Sequence, residues 1–98
     1  MLELSLKTAS GDISTFKKIV SDGISGERKK IEFALERTYK LIKTHEEEHR
    51  MSSEDFLRRF QNGEIEENDD IFEWWAELKV SKELEEKLHL VENIEICR

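Results

Sequence analysis

Not one proline interrupts the 98 residues, and that absence governs what the chain can become. Proline is the strongest helix breaker, so helices here stop only at glycine, at a cap, or where the apolar pattern runs out. From Ser25, a reasonable N-cap, to about His49 the pattern is the longest helical signal in the chain. Ile31, Leu35, Thr38, Ile42 and His45 recur at three- and four-residue spacing, and Phe33, Ala34 and Leu41 widen the stripe. At about 1.5 Å per residue such a helix is roughly 36 Å long, more than a compact domain of this size would hide. Part of it must stand proud or pack against a partner.

The four glycines act as punctuation. Leu2, Leu4 and Leu6 alternate with Glu3, Ser5 and Lys7, the period of a short half-buried strand. Its neighbour would be the same strand in a second copy, or the tail, where Ile94 and Ile96 alternate in the same way. After Gly11, Asp12 caps a short helix marked by Ile13, Phe16, Ile19 and Val20, with Gly23 as its stop. Ser52 faces Asp55 as a shortened capping box, and Met51 and Phe56 have hydrophobic-staple spacing. The helix they open carries Phe56, Leu57 and Phe60 and ends at Gly63. An acidic run, Glu64 to Asp70, leads to Asn68 or Asp69 as the next cap. The last helix carries Ile71, Phe72, Trp74, Trp75, Leu78, Val80, Leu84, Leu88 and Val91. Adjacent helical residues point about 100° apart, so Trp74 and Trp75 cannot share a face. The expectation is a mainly α, single helical domain over residues 1–98. It is a bundle of about four helices, one of them long, with a candidate N-terminal strand.

Composition narrows the class. A hydrophobic fraction of 37% against 40% charged residues is too apolar for disorder, yet leaves a thin core. Thin cores on long helices are completed by a second copy or a partner. No run of eighteen apolar residues and no signal-peptide stretch is visible. Cys97 is the sole cysteine, which fits a reducing compartment and makes the cytoplasm the expected location. The net charge of −7 is uneven: residues 1–50 carry ten Lys/Arg against nine Asp/Glu, residues 51–98 six against fourteen. Such a second half repels a phosphate backbone and attracts a basic surface, although solvated helix faces alone also produce it.

Chemistry has few seats. His45-Glu46-Glu47-Glu48-His49 matches the HExxH pattern, in which two histidines one turn apart hold zinc and the glutamate activates water. Its flanks Lys43, Thr44 and Arg50 are polar, His89 is remote, and no single carboxylate stands out as a third ligand. The expectation is a charged, exposed helix end with adventitious zinc or nickel binding, and no metal or cofactor. A zinc hydrolase would need Glu46 as its base. The acidic run lacks calcium-loop spacing and reads as helix-capping acids. Cys97 has no positioned base, and there is no phosphate loop or nucleophile elbow. Catalysis is not expected.

The order strand, helix, turn at Gly23 and Ser25, helix is that of a ribbon-helix-helix repressor. Lys7, Lys17, Lys18, Arg28, Lys29 and Lys30 could then supply positive charge, with Lys7, Arg28, Lys29 and Lys30 on phosphates. Glu3 on the strand and the detail of the helices speak against it. A dimeric DNA-binding regulator of that type is the alternative reading.

From His45 to about Val91 the chain resembles small bacterial and archaeal proteins of toxin–antitoxin type. The resemblance is carried by Glu46 to His49, Met51-Ser52-Ser53, Phe56 with Phe60, Gly63-Glu64-Ile65, Asp69-Asp70 and Glu73-Trp74. Trp75, Glu77 and Lys79 depart from that pattern in detail. The resemblance implies an antitoxin that masks a basic nuclease or nucleotide-transfer site with acidic, aromatic-anchored helical surface. The first expectation is therefore a non-enzymatic protein-binding module with a basic protein partner, a toxin being the concrete candidate, and a second copy of itself as a further candidate occupant. Trp74, Trp75, Ile71 and Leu78 are the expected anchors, and Asp69, Asp70, Glu73 and Glu77 the acidic rim.

Overall fold

The computed structural model describes residues 10–97. They form three helices: α1 (Ser10–His49), α2 (Ser53–Gln61) and α3 (Asp69–Cys97). α1 and α3 lie antiparallel as a long hairpin, and the short α2 fills its elbow. The particle measures 63 × 22 × 20 Å with a radius of gyration of 20.2 Å, where a compact chain of this length would have about 13 Å. It is a rod. No helix among the described residues is long and apolar enough to cross a membrane.

The expected break at Gly23 does not occur. α1 runs through Gly23 and Gly26 without interruption, so two predicted helices are one of 40 residues. Glycine weakens a helix by only about 1 kcal/mol relative to alanine and does not stop one whose neighbours favour it. The turn that a ribbon-helix-helix arrangement needs is therefore absent, and Arg28 is instead tied to Glu32 (2.9 Å) and Glu95 (3.0 Å). The candidate strand of Leu2, Leu4 and Leu6 lies outside the described residues. Its proposed partner, Ile94 and Ile96, is helical.

α1 ends where no glycine marks it. Arg50 adopts φ +50° and the Met51 amide donates to the Glu46 carbonyl at 3.1 Å, a Schellman closure with a strained non-glycine residue at its left-handed position. The signals after it act as the sequence implies. Ser52 Oγ accepts from the Asp55 amide at 3.1 Å, and Met51 packs on the cluster containing Phe56. Gly63 takes φ +70° as Glu64 N–H reaches the Arg59 carbonyl. Asn68 Oδ1 caps α3 through the Ile71 amide at 2.9 Å.

The hairpin seam on α1 is Ile31, Leu35, Thr38, Ile42 and His45, all buried. Their alternating four- and three-residue spacing is a seven-residue repeat, as in a left-handed coiled coil. α3 answers with buried Ile71, Trp74 and Ser81 and half-buried Leu78, Leu84, Leu88 and Val91. Polar rungs cross the seam: Glu95 accepts from Ser25 and Arg28, Tyr39 donates to Glu85, and Asp70 meets His49. Beyond Ser25, α1 continues toward its N-terminus for about 22 Å. Ile13, Phe16, Ile19 and Val20 on that overhang are exposed, as are Leu90, Ile94 and Ile96 near the end of α3.

Two measurements test this fold. An added Cβ at Gly23 or Gly26 meets nothing within 4 Å. Gly23→Ala and Gly26→Ala should therefore each raise unfolding free energy by about 0.5–1 kcal/mol. Arg50→Gly should gain less, because relief of left-handed strain is offset by greater freedom in the unfolded chain. Denaturant unfolding followed by circular dichroism reads both, and destabilisation by Gly23→Ala would contradict an uninterrupted α1. The second test uses Tyr39, the only tyrosine. Its hydrogen bond to Glu85, with some burial and the Glu85 charge, pushes its pKa from 10.0 up to about 12. The raised folded-state pKa means its stabilising contribution is complete below pH 10.0 and lost as pH climbs toward about 12. Phenolate absorbance should titrate late in the native protein, and near the ordinary tyrosine value in Glu85→Gln.

Candidate functional site

The elbow is organised around one indole. Trp74, 0% exposed, lies parallel to the Phe56 ring with centroids 3.9 Å apart. His49 and His45 stack on the same indole at 5.2 and 5.9 Å. The Trp74 Nε1–H donates to Ser53 Oγ at 3.1 Å, so the ring's one polar atom is satisfied inside the core. Ile71, also buried, completes this cluster, with Met51, Leu57, Phe60, Ile65 and Leu78 packed around it. Two expected partner anchors, Trp74 and Ile71, are thus core residues. Their face of α3 is turned toward α1 and α2.

The remaining expected contact residues divide in another way. Trp75 is 37% exposed and Phe72, which sequence reasoning passed over, 45%. They sit one turn apart on α3, and Phe60 of α2 approaches both, edge-on to Phe72 at 6.3 Å and tilted to Trp75 at 6.4 Å. This makes one continuous aromatic patch on the outside of the elbow. Asp69 and Glu73 are exposed, and Glu77 and Leu78 are half-buried. The rim is not uniformly acidic. Lys79 Nζ lies 5.3 Å from the Trp75 ring centre, and Lys79 and Lys82 border the shallow groove, about 290 Å³, beside Trp75 and Leu57. The spacing Phe72 to Trp75 was the signal that could have found the pair.

The His45–His49 run is not the exposed helix end expected of it. His45 is buried, and His49 is half-buried against Trp74. Asp70, expected in the acidic rim, faces the two imidazoles: its Oδ2 is 2.6 Å from His49 Nε2 and its Oδ1 3.5 Å from His45 Nδ1. His45 Nδ1 is fully removed from solvent and makes no hydrogen bond. Glu48 joins the group, and one ligand atom from each of His45, Glu48, His49 and Asp70 lies within 4.8 Å of every other. Glu46, the glutamate that a metallopeptidase would aim at water, is turned away. Its Oε2 accepts from the Ser53 amide at 2.9 Å and caps α2. Helical spacing brings His45, Glu48 and His49 together; only the register of the hairpin adds Asp70, 21 residues on from His49. No family model, curated protein or solved structure matches this chain.

Proposed function

We propose that the chain is a non-enzymatic protein-binding module, most concretely an antitoxin-like neutraliser of a basic partner protein in the cytoplasm. The observation that carries this reading is the Phe72–Trp75 pair: two large aromatic side chains held partly exposed beside the buried core of the elbow. Aromatic anchors on pre-ordered backbone are the commonest source of binding energy at protein interfaces, because little entropy is lost on docking. The charge of the C-terminal half favours a basic partner, with Asp69 and Glu73 beside the anchors. Lys79 and Lys82 add a local positive edge, so the matching surface carries an acidic group opposite them.

Self-association is supported by a different observation. Ile13, Phe16 and Val20 form an uncovered stripe at helical spacing on the α1 overhang. A second copy is an occupant that would cover it, and Phe16→Glu should then convert a dimer into a monomer in light scattering.

Co-expression with the protein encoded beside it tests the main reading. The expected results are a complex that co-purifies and, where that neighbour arrests growth, restored growth. Phe72→Ala and Trp75→Ala should each weaken the purified complex by about 30-fold, the loss of a roughly 2 kcal/mol hot spot, with helix content unchanged. Full affinity in the double variant would remove this surface from the interface.

A further inference from the structure

Four donors converge at the elbow, and one of them, the buried His45 Nδ1, makes no hydrogen bond and has Asp70 Oδ1 near it, at 3.5 Å. We propose that His45, His49 and Asp70, with Glu48 completing the set, bind one divalent transition-metal ion of the zinc class. The ion would pin the first turn of α3 to the last turns of α1. The assignment does not depend on the partner-binding reading.

Donor chemistry and spacing support it first. Two imidazole nitrogens and two carboxylates are a normal ligand set for zinc. Bonds of about 2.0–2.1 Å to a tetrahedral ion place neighbouring donors roughly 3.4 Å apart. His45 Nδ1 and Asp70 Oδ1 stand at 3.5 Å. His49 Nε2 and Asp70 Oδ2, at 2.6 Å, have the closeness of a hydrogen bond, and metal entry would part them by less than about 1 Å. Glu48 is the exposed member and has the reach to close the fourth position.

Burial is the second, independent observation. The His45 side chain is 10% exposed, and its Nδ1 lies in the protein without a hydrogen bond. A buried polar atom without a hydrogen bond costs on the order of 1–3 kcal/mol, and at 3.5 Å the Asp70 carboxylate is too far to supply one, which favours a ligand between them. Electrostatics agree. The donors from α1 come from the negative end of that helix dipole, which favours a cation, and Glu46, Glu47 and Glu48 add charge of the same sense. The His45 and His49 rings are also held against Trp74, which fixes their aim as outer-shell packing does around known metals.

The geometry assigns the ion a bracing role. It would link two segments of chain separated by the whole of α2, while Glu46 remains engaged as the α2 cap. Metal bound only by the folded elbow stabilises that elbow by mass action.

The test is zinc titration of full-length protein stripped with chelator, read by calorimetry and by thermal midpoint. We expect saturation at one zinc per chain and a midpoint that rises with free zinc. Asp70→Asn and His49→Gln should each weaken uptake at least about tenfold. A histidine pair on any helix surface collects metal adventitiously, but only the proposed site needs Asp70 from α3. Undiminished uptake by Asp70→Asn would therefore overturn the proposal, and so would no saturable uptake, which would leave the cluster a histidine–carboxylate contact. Should Asp70→Asn lose helicity, cobalt in the wild-type protein decides. Intense visible bands of a four-coordinate ion support the site, and the weak spectrum of a six-coordinate aqua ion overturns it.

Discussion

The hairpin depends on the stacking of Trp74 between α1 and α2. Among the described residues, Trp74 is a fully buried side chain in contact with all three helices. Phe56 presses on the indole from α2, His45 and His49 lie along it from α1, and Ser53 takes its N–H. Truncating a buried aromatic residue of this size costs about 3–5 kcal/mol, a large share of what a small domain has to spare. Moving away from this end, the seam thins. Thr38 and Ser81 occupy buried positions that a stronger coiled coil would fill with leucine or isoleucine, and Ser81 satisfies its hydroxyl on the Leu78 carbonyl at 2.8 Å.

A closed end and an open end follow from that gradient. The elbow is braced by aromatic packing, caps at both borders of α2 and the histidine–carboxylate group. The opposite end is held by the Glu95 rung to Ser25 and Arg28, beyond which lie the first turns of α1. Helices shorter than about 12–15 residues are marginal in water without tertiary support. The overhang is about that length, and it inherits order from the paired part of α1. Its apolar residues, and those near the end of α3, are the kind of surface that association covers.

These two ends suit different tasks. The elbow offers Phe72 and Trp75 on a backbone that cannot rearrange easily, which favours a specific, pre-shaped contact. Its α1–α3 junction gathers His45, Glu48, His49 and Asp70, so a metal-braced elbow and a partner-binding elbow are compatible within one structure: the donors sit where α1 meets the first turn of α3, and the aromatic patch is formed by Phe60, Phe72 and Trp75. Trp74 and Trp75 make the division plain. Consecutive in the sequence, one side chain has no exposed surface and the next is 37% exposed.

Local rules settled much of this protein from its sequence alone. The helical class, the Ser52 cap, the Met51–Phe56 staple, the Gly63 stop, a cap at Asn68 or Asp69 and the divergence of the two tryptophans each rest on residues a few positions apart, where sequence spacing is also spatial spacing. The register between α1 and α3 was decided by tertiary structure, because it arises from packing two long stripes that match over many residues and carry no short-range mark. That register buries Trp74 and Ile71 rather than exposing them and sets Asp70 against two histidines more than twenty residues away. A glycine weakens a helix by less than the neighbouring packing and propensity sustain it, and a third metal donor among twenty-three carboxylates is singled out only by the fold.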